Sequence, residues 1–531
     1  MVSRDGHRVN RVIFSTDGPP TDHEPRWIGH DVTVDEADVE GSLGASAAGD
    51  VLMDGRPRHA HATGEPDGVP PIVQPGESDP MLVPAIERIG GPLGIRARFA
   101  RRFWTPLRIL IVLASAAMVV GYAAKLPCHA ESFGGDARYT RLCYTDIPFL
   151  YQLRGFADGW LPYIDTGPGR GPALEYPVLT GVFMQIASWL TGRDGSASDR
   201  AVVFFDWNVL LLLVCLIVTV VCTALTVRRR PWDAALVALA PGTILCAVIN
   251  WDLLAVALTA ASMLLWARGK AGWSGVLLGL AIASKFYPLF LLGPLFLLCL
   301  RSGQLRSFWK LVGTGTVAWL AVNVPFMLVN FTGWKEFYVF SATRGADWGS
   351  IWYVFMALKH PVPPEALNAV VAISLITLCI GIALIILRSQ RRPRYAQVAF
   401  LVIAAFCVTN KVYSPQYVLW LIPLAAMARP RWRDFLIWQG GQVMYFASVW
   451  YFLQQYGNDN KGLPEGWYVA AILVQITSTC WFAGMVIRDI LRPENDPIRT
   501  DGHDDDLDDP GGGVLDCAPD VFTLRRKEMA S

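Results

Sequence analysis

Charged residues are scarce in this chain of 531 residues. They make up 17% of it, whereas soluble domains average about 25%. Lysine is absent from residues 1–100. Metal-ligand clusters are also missing from the sequence, because the ten cysteines are scattered and no two of the eight histidines have ligand spacing. We therefore predict no metal site. The composition as a whole excludes a plain cytosolic enzyme, a nucleic-acid binder and a secreted disulfide scaffold.

Hydrophobic residues, in contrast, make up 53% of the chain. Residues 1–100 carry 16 acidic residues against 9 arginines, residues 489–531 carry 12 acidic against 5 basic residues, and residues 101–488 carry a net charge of +15. An apolar, cationic middle between acidic ends is typical of a polytopic membrane protein with soluble tails. We predict an all-α membrane domain over 101–488, with disordered cytoplasmic tails over 1–100 and 489–531.

Basic clusters separate the apolar runs of the membrane domain. Placing every cluster in the cytoplasm gives 12 crossings of the inner (plasma) membrane, with both termini inside. Residues 176–191 are apolar but would invert the later topology, so we expect them to be re-entrant or interfacial. The runs 272–284 and 286–300 are short and are expected to meet around Lys285. The predicted spans are 107–123, 201–227, 232–249, 252–267, 272–284, 286–300, 310–330, 366–387, 395–410, 416–428, 435–453 and 466–487.

The acidic residues of this domain are distributed unequally across the predicted membrane. Fifteen of the seventeen lie outside, and only Asp233 and Asp434 lie in the cytoplasm. Because Asp and Glu barely influence insertion, this bias favours chemistry or ligand recognition on the outer face.

The first outer loop combines aromatic residues, glycines and carboxylates, the mixture that sugar recognition requires. A catalytic base must be a carboxylate or a histidine within hydrogen-bond reach of the hydroxyl that it deprotonates. For each carboxylate, helix capping or a pair with an arginine is the alternative, and the residues alone favour that alternative. The candidates are Asp146, Asp158, Asp165 and Glu175.

Two cysteines, Cys128 and Cys143, lie in the same outer loop. In an oxidising compartment they are expected to form a disulfide that closes a loop of about 15 residues and contributes roughly 3 kcal/mol in the chain-entropy model. Two free thiols are the alternative.

Ionisable residues at membrane depth are costly and are therefore functional candidates. Lys285 suits a lipid phosphate, but a pair with Asp252 that serves only packing explains it equally well. Arg344 and Asp347 form a second charged group at the outer surface, and residues 410–417 form a third outer turn.

The order of these motifs resembles glycosyltransferase family 87 of the GT-C superfamily, the polyprenyl-phosphomannose-dependent α-mannosyltransferases of actinobacteria. The resemblance covers about residues 105–490 and neither tail. It rests on Asp146 with the loop residues Tyr151, Gly155, Gly159, Pro162-Tyr163 and Glu175-Tyr176-Pro177, and then on Asn250-Trp251-Asp252-Leu253-Leu254, Lys285-Phe286-Tyr287-Pro288 and Ser414-Pro415-Gln416-Tyr417.

The resemblance implies a GT-C-like bundle of about 12 transmembrane helices with a large first extracytoplasmic loop. It implies transfer of a sugar, mannose, from a polyprenyl-phosphate donor to an envelope glycolipid or glycan, without a cofactor. Asp146 would be the general base, and Lys285, with Arg344 or Lys411, would neutralise the donor phosphate. The other expected substrate contacts are Tyr287, Asp347, Tyr413, Gln416, Glu175, Tyr176 and Asp252.

Two further classes remain open at this stage. A transporter or flippase for lipid-linked sugars would use similar groups, but transporters often contain internal repeats with a midplane site, and no convincing repeat is found here. A non-catalytic membrane partner of envelope synthases, docking through its acidic tails, is the third possibility.

Overall fold

The computed structural model describes residues 72–74, 79–84, 103–167, 171–455, 461–500 and 508–524. The predicted tail 1–100 otherwise lies outside the described residues. The α-helices, numbered in chain order, are α1 (Pro106–Ala123), α2 (Leu126–His129), α3 (Ala137–Thr140), α4 (Ile147–Leu153), α5 (Val178–Thr191), α6 (Ala197–Thr226), α7 (Ala235–Ala238), α8 (Pro241–Cys246), α9 (Asp252–Ala267), α10 (Ala271–Ser284), α11 (Leu292–Arg301), α12 (Leu305–Val329), α13 (Phe331–Thr343), α14 (Ile351–Ala357), α15 (Pro364–Arg388), α16 (Tyr395–Thr409), α17 (Val418–Ala428), α18 (Trp432–Gln454) and α19 (Glu465–Leu491).

Five of these helices, α1, α6, α12, α15 and α19, are long and apolar enough to cross a membrane by length and composition. They contain 18 to 30 residues, and about 20 apolar residues cross the hydrocarbon core of a bilayer. Several apolar helical segments of 10 to 17 residues accompany them. The chain is therefore an all-α, multi-pass membrane protein, as predicted, while the number of 12 crossings stays a prediction.

The predicted span 232–249 is not one continuous helix. A 3₁₀ turn over Pro231–Ala234, then α7 and α8, follow one another. Pro241 has no backbone N–H and begins a new helix instead of continuing the old one. The N–H of the next residue, Gly242, donates to Oε1 of Gln439 at 2.8 Å, so the break leaves this buried donor satisfied.

The helices α10 and α12 pack closely through glycines. A Cβ atom on Gly279 would overlap the carbonyl oxygen of Gly315, and one on Gly275 would overlap that of Leu311. Small residues of this kind let helix backbones approach each other in a membrane, where apolar side chains gain little from leaving lipid. This contact fixes the position of Lys285, which directly follows α10.

The helix α5, over the predicted interfacial segment, stays at one end of the helix bundle. Its Gly181 packs against the Tyr163 ring of the first outer loop, and Arg193, just beyond its end, lies beside Gly159 of the same loop. Since both ends of α5 contact this loop, the helix does not carry the chain to the opposite end. This geometry agrees with the interfacial interpretation.

The basic clusters converge at the other end of the bundle. Arg394 binds Asp496 through two hydrogen bonds of 2.8 and 2.9 Å, and Arg429 lies between the carboxylates of Asp434 and Asp489. All five side chains are at most 2% exposed. Clusters that are far apart in sequence thus share one end, as the single cytoplasmic side predicted for them requires.

The acidic C-terminal region packs onto these arginines. Asp520 binds Arg301 at 2.5 Å and Arg392 at 2.8 Å, and the Asp509 carboxylate accepts from the backbone N–H of Tyr395 at 2.8 Å. The predicted disorder of 489–531 is therefore wrong for residues 489–500 and 508–524, because their carboxylates neutralise arginines of the membrane domain. Within the same acidic region, residues 501–507 lie outside the described residues.

Candidate active site

The first outer loop is attached to the end of the interrupted span. The backbone N–H of Asp146 donates to the carbonyl oxygen of Ile249 at 2.9 Å, and Oγ1 of Thr145 donates to that of Val248 at 2.8 Å. The structure also contains the expected disulfide between Cys128 and Cys143. These contacts fix the residues on both sides of Tyr144.

The carboxylate of Asp146 is held by one donor on each oxygen. The Tyr144 hydroxyl donates to Oδ1 at 2.9 Å, and Nδ2 of Asn250 donates to Oδ2 at 2.9 Å. Burial raises the pKa of Asp146 above its usual range, although these two hydrogen bonds oppose the shift. An oriented carboxylate with a raised pKa is a stronger base than a solvated one, as a general base requires.

Asn250 is oriented by its own neighbours. The backbone N–H of Trp251 donates to its Oδ1 at 2.6 Å, so Nδ2 is directed towards Asp146 and also donates to the hydroxyl oxygen of Tyr176 at 2.6 Å. Nε1 of Trp251 in turn donates to Oδ1 of Asn208 at 2.6 Å. The position of the Asp146 carboxylate therefore depends on residues about 100 positions later in the chain.

Lys285 lies in the same cluster, between Tyr176 and Asp252. Its Nζ is 3.2 Å from Oδ1 of Asp252 and 5.1 Å from the centre of the Tyr176 ring. Asp252 is fully buried, and its Oδ1 also accepts from Nε1 of Trp420 at 2.7 Å. The side chain of Lys285 keeps 15% of its surface exposed. The Lys–Asp pair is thus present, and the ammonium group remains partly accessible.

Arg344 supplies a second cation beside this cluster. It pairs with Asp347 through Nε at 2.7 Å and through a second, shorter contact. Its guanidinium carbon lies 5.5 Å from the centre of the Phe340 ring, and its side chain is 34% exposed. Tyr417 stacks on Trp420 with ring centres 3.9 Å apart. Tyr176 and Tyr417 lie within electrostatic range of Arg344, which is therefore near the cluster that contains Lys285.

Four of the expected substrate contacts have structural partners of their own, and a fifth, Gln416, is buried. Glu175 accepts two hydrogen bonds, of 2.6 and 2.7 Å, from Arg154. The three oxygens around Nζ of Lys411 belong to Ser341, Ala342 and Asn368. Tyr287 is buried under Trp420, Tyr413 is buried with its hydroxyl 3.1 Å from that of Thr479, and Gln416 is buried. None of these five forms part of the Asp146–Lys285 cluster as described.

The cluster also contains residues that the sequence analysis did not select. Asn250 and Tyr144 orient the carboxylate, and Trp420 orients Asp252. Asn250 belongs to the motif Asn250-Trp251-Asp252, but its role depends on its proximity to Asp146 in space. The spacing of residues along the chain does not reveal that proximity. Among the described residues, no group of three or more His, Cys, Asp and Glu side chains is arranged to hold a metal ion.

An apolar cavity of about 610 Å³ opens next to the site. It is lined by side chains of α10, α12 and α13 and by Phe286, the neighbour of Lys285. Trp334 and Tyr338 line one wall, and the exposed Lys335 is the charged residue of its lining. A cavity of this kind accommodates an apolar chain next to a charged group.

Three comparisons with known proteins relate to this geometry. Residues 174–409 match the model of glycosyltransferase family 87. GPI mannosyltransferase 1 of Kluyveromyces lactis is 24% identical over 211 residues, which are 36% of this chain and 52% of the relative. The chain thus spans about half the length of that curated relative.

A solved structure, ArnT from Cupriavidus metallidurans bound to undecaprenyl phosphate, is similar over 73% of this chain and 78% of its own, with 15% sequence identity and a TM-score of 0.38. That likeness is too distant to carry an argument. The family match covers somewhat less than half of the chain but includes Tyr176, Asn250, Asp252, Lys285 and Arg344. The chain therefore resembles the membrane glycosyltransferases of family 87, with most of the candidate site inside the matching region.

Proposed function

We propose that the protein transfers a sugar, mannose, from a polyprenyl-phosphate donor to a glycolipid or glycan acceptor of the cell envelope, on the extracytoplasmic face of the membrane. The observation that carries the proposal is the cluster in which a half-buried, oriented carboxylate, Asp146, lies close to a partly accessible cation, Lys285. The match to a glycosyltransferase family and the similarity to a mannosyltransferase support the sugar and the reaction class.

The reaction places each group in a defined role. The acceptor hydroxyl oxygen attacks the anomeric carbon of the donor sugar, and its proton goes to Asp146. The bond between the anomeric carbon and the phosphate oxygen breaks, and the phosphate leaves with the electron pair. Lys285 and Arg344 stabilise the charge on that leaving group. Because the hydroxyl oxygen attacks from the face opposite the phosphate in a single displacement, the configuration at the anomeric carbon is inverted. Such electrostatic stabilisation is usually a large contribution to catalysis.

The apolar cavity beside Phe286 suits the polyprenyl chain of the donor. Its lining includes Phe286, which directly follows Lys285, and the proposal is that a lipid chain in the cavity places its phosphate at the ammonium group. The lipid chain would then be held by hydrophobic contact and the phosphate by charge. This arrangement needs no nucleotide-binding domain, since the donor is a lipid.

The Asp146→Asn variant tests the proposal directly. General-base catalysis contributes about 10²- to 10⁴-fold in rate, so transfer from polyprenyl-phosphomannose in proteoliposomes should fall by at least that factor. The amide keeps the size of the side chain, so the variant should still insert. Asp158→Asn, an exposed carboxylate of the same loop, is the matched control and should keep full activity. Near-normal transfer by Asp146→Asn would show that Asp146 is not the base.

A transporter or flippase of lipid-linked sugars would move the donor in the same proteoliposomes without forming a glycosidic bond. A non-catalytic partner of envelope synthases would do neither. Separating the labelled donor from labelled product distinguishes the three classes in one assay.

A further inference from the structure

A second cavity, of about 230 Å³, lies at the first outer loop and is lined in part by Tyr144. It is enclosed by the loop before α3, by α3, by α4 and by the start of α6. Unlike the cavity beside Lys285, its lining mixes polar side chains with aromatic rings. The lining residues that matter here are Phe133, Arg138, Tyr144, Phe149, Gln152 and Ser198.

Arg138 is the residue that points to a ligand. Its Nε is buried and has no hydrogen-bond acceptor among the described residues. Its guanidinium carbon lies 4.9 Å from the centre of the Tyr139 ring, which fixes the plane of the group. A buried donor without an acceptor is unfavourable, and a ligand oxygen in the cavity would satisfy it.

Tyr144 connects this cavity to the proposed base. The residue lines the cavity, and its hydroxyl donates to Oδ1 of Asp146. Its ring stacks on Trp450 at 4.6 Å, and Nζ of Lys125 donates to its carbonyl oxygen at 2.8 Å, so it is held rigidly. A ligand in the cavity is therefore separated from the base by no more than one tyrosine side chain.

The Cys128–Cys143 disulfide holds the rim of the same cavity. It closes the segment that carries Phe133 and Arg138, and Cys143 directly precedes Tyr144. The wall with the guanidinium is thus covalently tied to the wall with Tyr144. A pre-formed wall lowers the conformational entropy that the protein loses when a ligand binds.

We infer that this cavity binds a sugar unit of the acceptor. Ligand cavities of about 300–1,000 Å³ hold drug-sized molecules, so the smaller volume here fits a single sugar ring. Aromatic rings contact the faces of a sugar, and Arg138, Gln152 and Ser198 supply hydrogen bonds to its hydroxyl groups. The inference rests on the proposed function, because only a glycosyl transfer at Asp146 requires an acceptor sugar beside Tyr144.

Direct binding tests the inference without relying on catalysis. The probes are the methyl glycosides of mannose, glucose, galactose and arabinose, and binding to the full-length protein in nanodiscs is measured by saturation-transfer NMR. At least one glycoside should bind. Arg138→Gln should weaken that binding about tenfold or more, the loss expected for a hydrogen bond to a charged group. Phe149→Ala should weaken it too, and this half-exposed ring is removable without disturbing the core.

The exposed Arg141 gives the matched control, since Arg141→Gln removes the same charge from the same loop outside the cavity lining. Binding of no glycoside, or equal binding by parent and Arg138→Gln, would overturn the inference. Kinetics separate this inference from the proposed function. If Arg138→Gln transfers sugar with an unchanged acceptor KM, the inference is wrong and the proposed function still holds. If glycoside binding depends on Arg138 but the parent protein transfers no sugar, the proposed function is wrong and the cavity still binds a sugar.

Discussion

Lys285 is the residue at which a structural and a catalytic role have to be separated. Its pair with Asp252 explains why a cation is tolerated there, whereas its partial exposure and its place beside the apolar cavity favour a phosphate ligand. Lys285→Met alone does not distinguish the two roles, because it leaves Asp252 buried without its cation, which is strongly destabilising.

The double variant Lys285→Met/Asp252→Asn distinguishes them. It removes both charges together, and the new amide oxygen still accepts from Trp420. We expect the melting temperature to return towards that of the parent protein, while the KM for the polyprenyl-phosphate donor stays raised about tenfold or more, as for a lost charged hydrogen bond. The acceptor KM serves as the internal control. If the donor KM and the melting temperature of the double variant both return to the values of the parent protein, Lys285 has only a packing role.

At the scale of single residues, the sequence predicts the kind of chemistry at the site better than it predicts which residues form the site. Asp146, Asp252 and Lys285 were selected and lie in one cluster, because a carboxylate in an outer loop and charges at membrane depth are rare enough to notice. Lys411 and Glu175 were charged candidates of the same kind, but each forms hydrogen bonds with other residues of the chain, Asn368 and Arg154 respectively. Whether a charge is free or already paired depends on distances that spacing in the chain does not contain.

Among the elements, the C-terminal segment 508–524 differs most from its predicted state. Its aspartates have the composition of a solvated tail, and their partners, Arg301 and Arg392, precede Asp520 by more than 120 positions. The span predicted over 232–249 is interrupted for a different reason. Its hydrophobicity does not reveal that Pro241 begins a new helix, nor that Gln439, far along the chain, accepts a hydrogen bond from the buried N–H of Gly242.

Truncation tests whether the C-terminal segment is part of the folded domain. Removing residues 508–531 takes the carboxylates from Arg301 and Arg392, which are nearly fully buried. Breaking a buried pair costs up to about 3–5 kcal/mol, so the melting temperature in detergent should fall by several degrees. Removing only 525–531, which leaves every described contact in place, is the control. Equal melting temperatures for the two truncations would show that the segment contributes no stability.

The whole molecule has two chemically different ends. One end gathers arginines and the C-terminal carboxylates, and the other carries the first outer loop, Asp146 and Lys285. The two ends follow from the charge pattern of the chain, since basic clusters mark the cytoplasmic side of membrane proteins. Which end faces outward in the cell is the remaining part of that prediction.

Labelling of single cysteines tests this orientation. In a background without Cys480 and Cys517, the exposed positions Asp194→Cys and Arg306→Cys mark the two ends. A membrane-impermeant maleimide should label Asp194→Cys in intact cells, and Arg306→Cys only after permeabilisation. The reverse pattern would place the proposed site in the cytoplasm and contradict the extracytoplasmic reaction.

Arg301 and Arg392 precede their carboxylate partners in the chain, so during biosynthesis the ion pairs form only after the C-terminal region has been made. Arg392 enters the chain 128 positions before its partner Asp520, so at about 5–20 residues per second the ribosome needs roughly 6–26 s to supply that carboxylate. During that interval, arginines that become buried must stay hydrated or bind other anions, such as lipid headgroups. Chains interrupted in this window therefore differ from complete ones by a cluster of uncompensated positive charge, which quality-control proteases and chaperones have the opportunity to recognise.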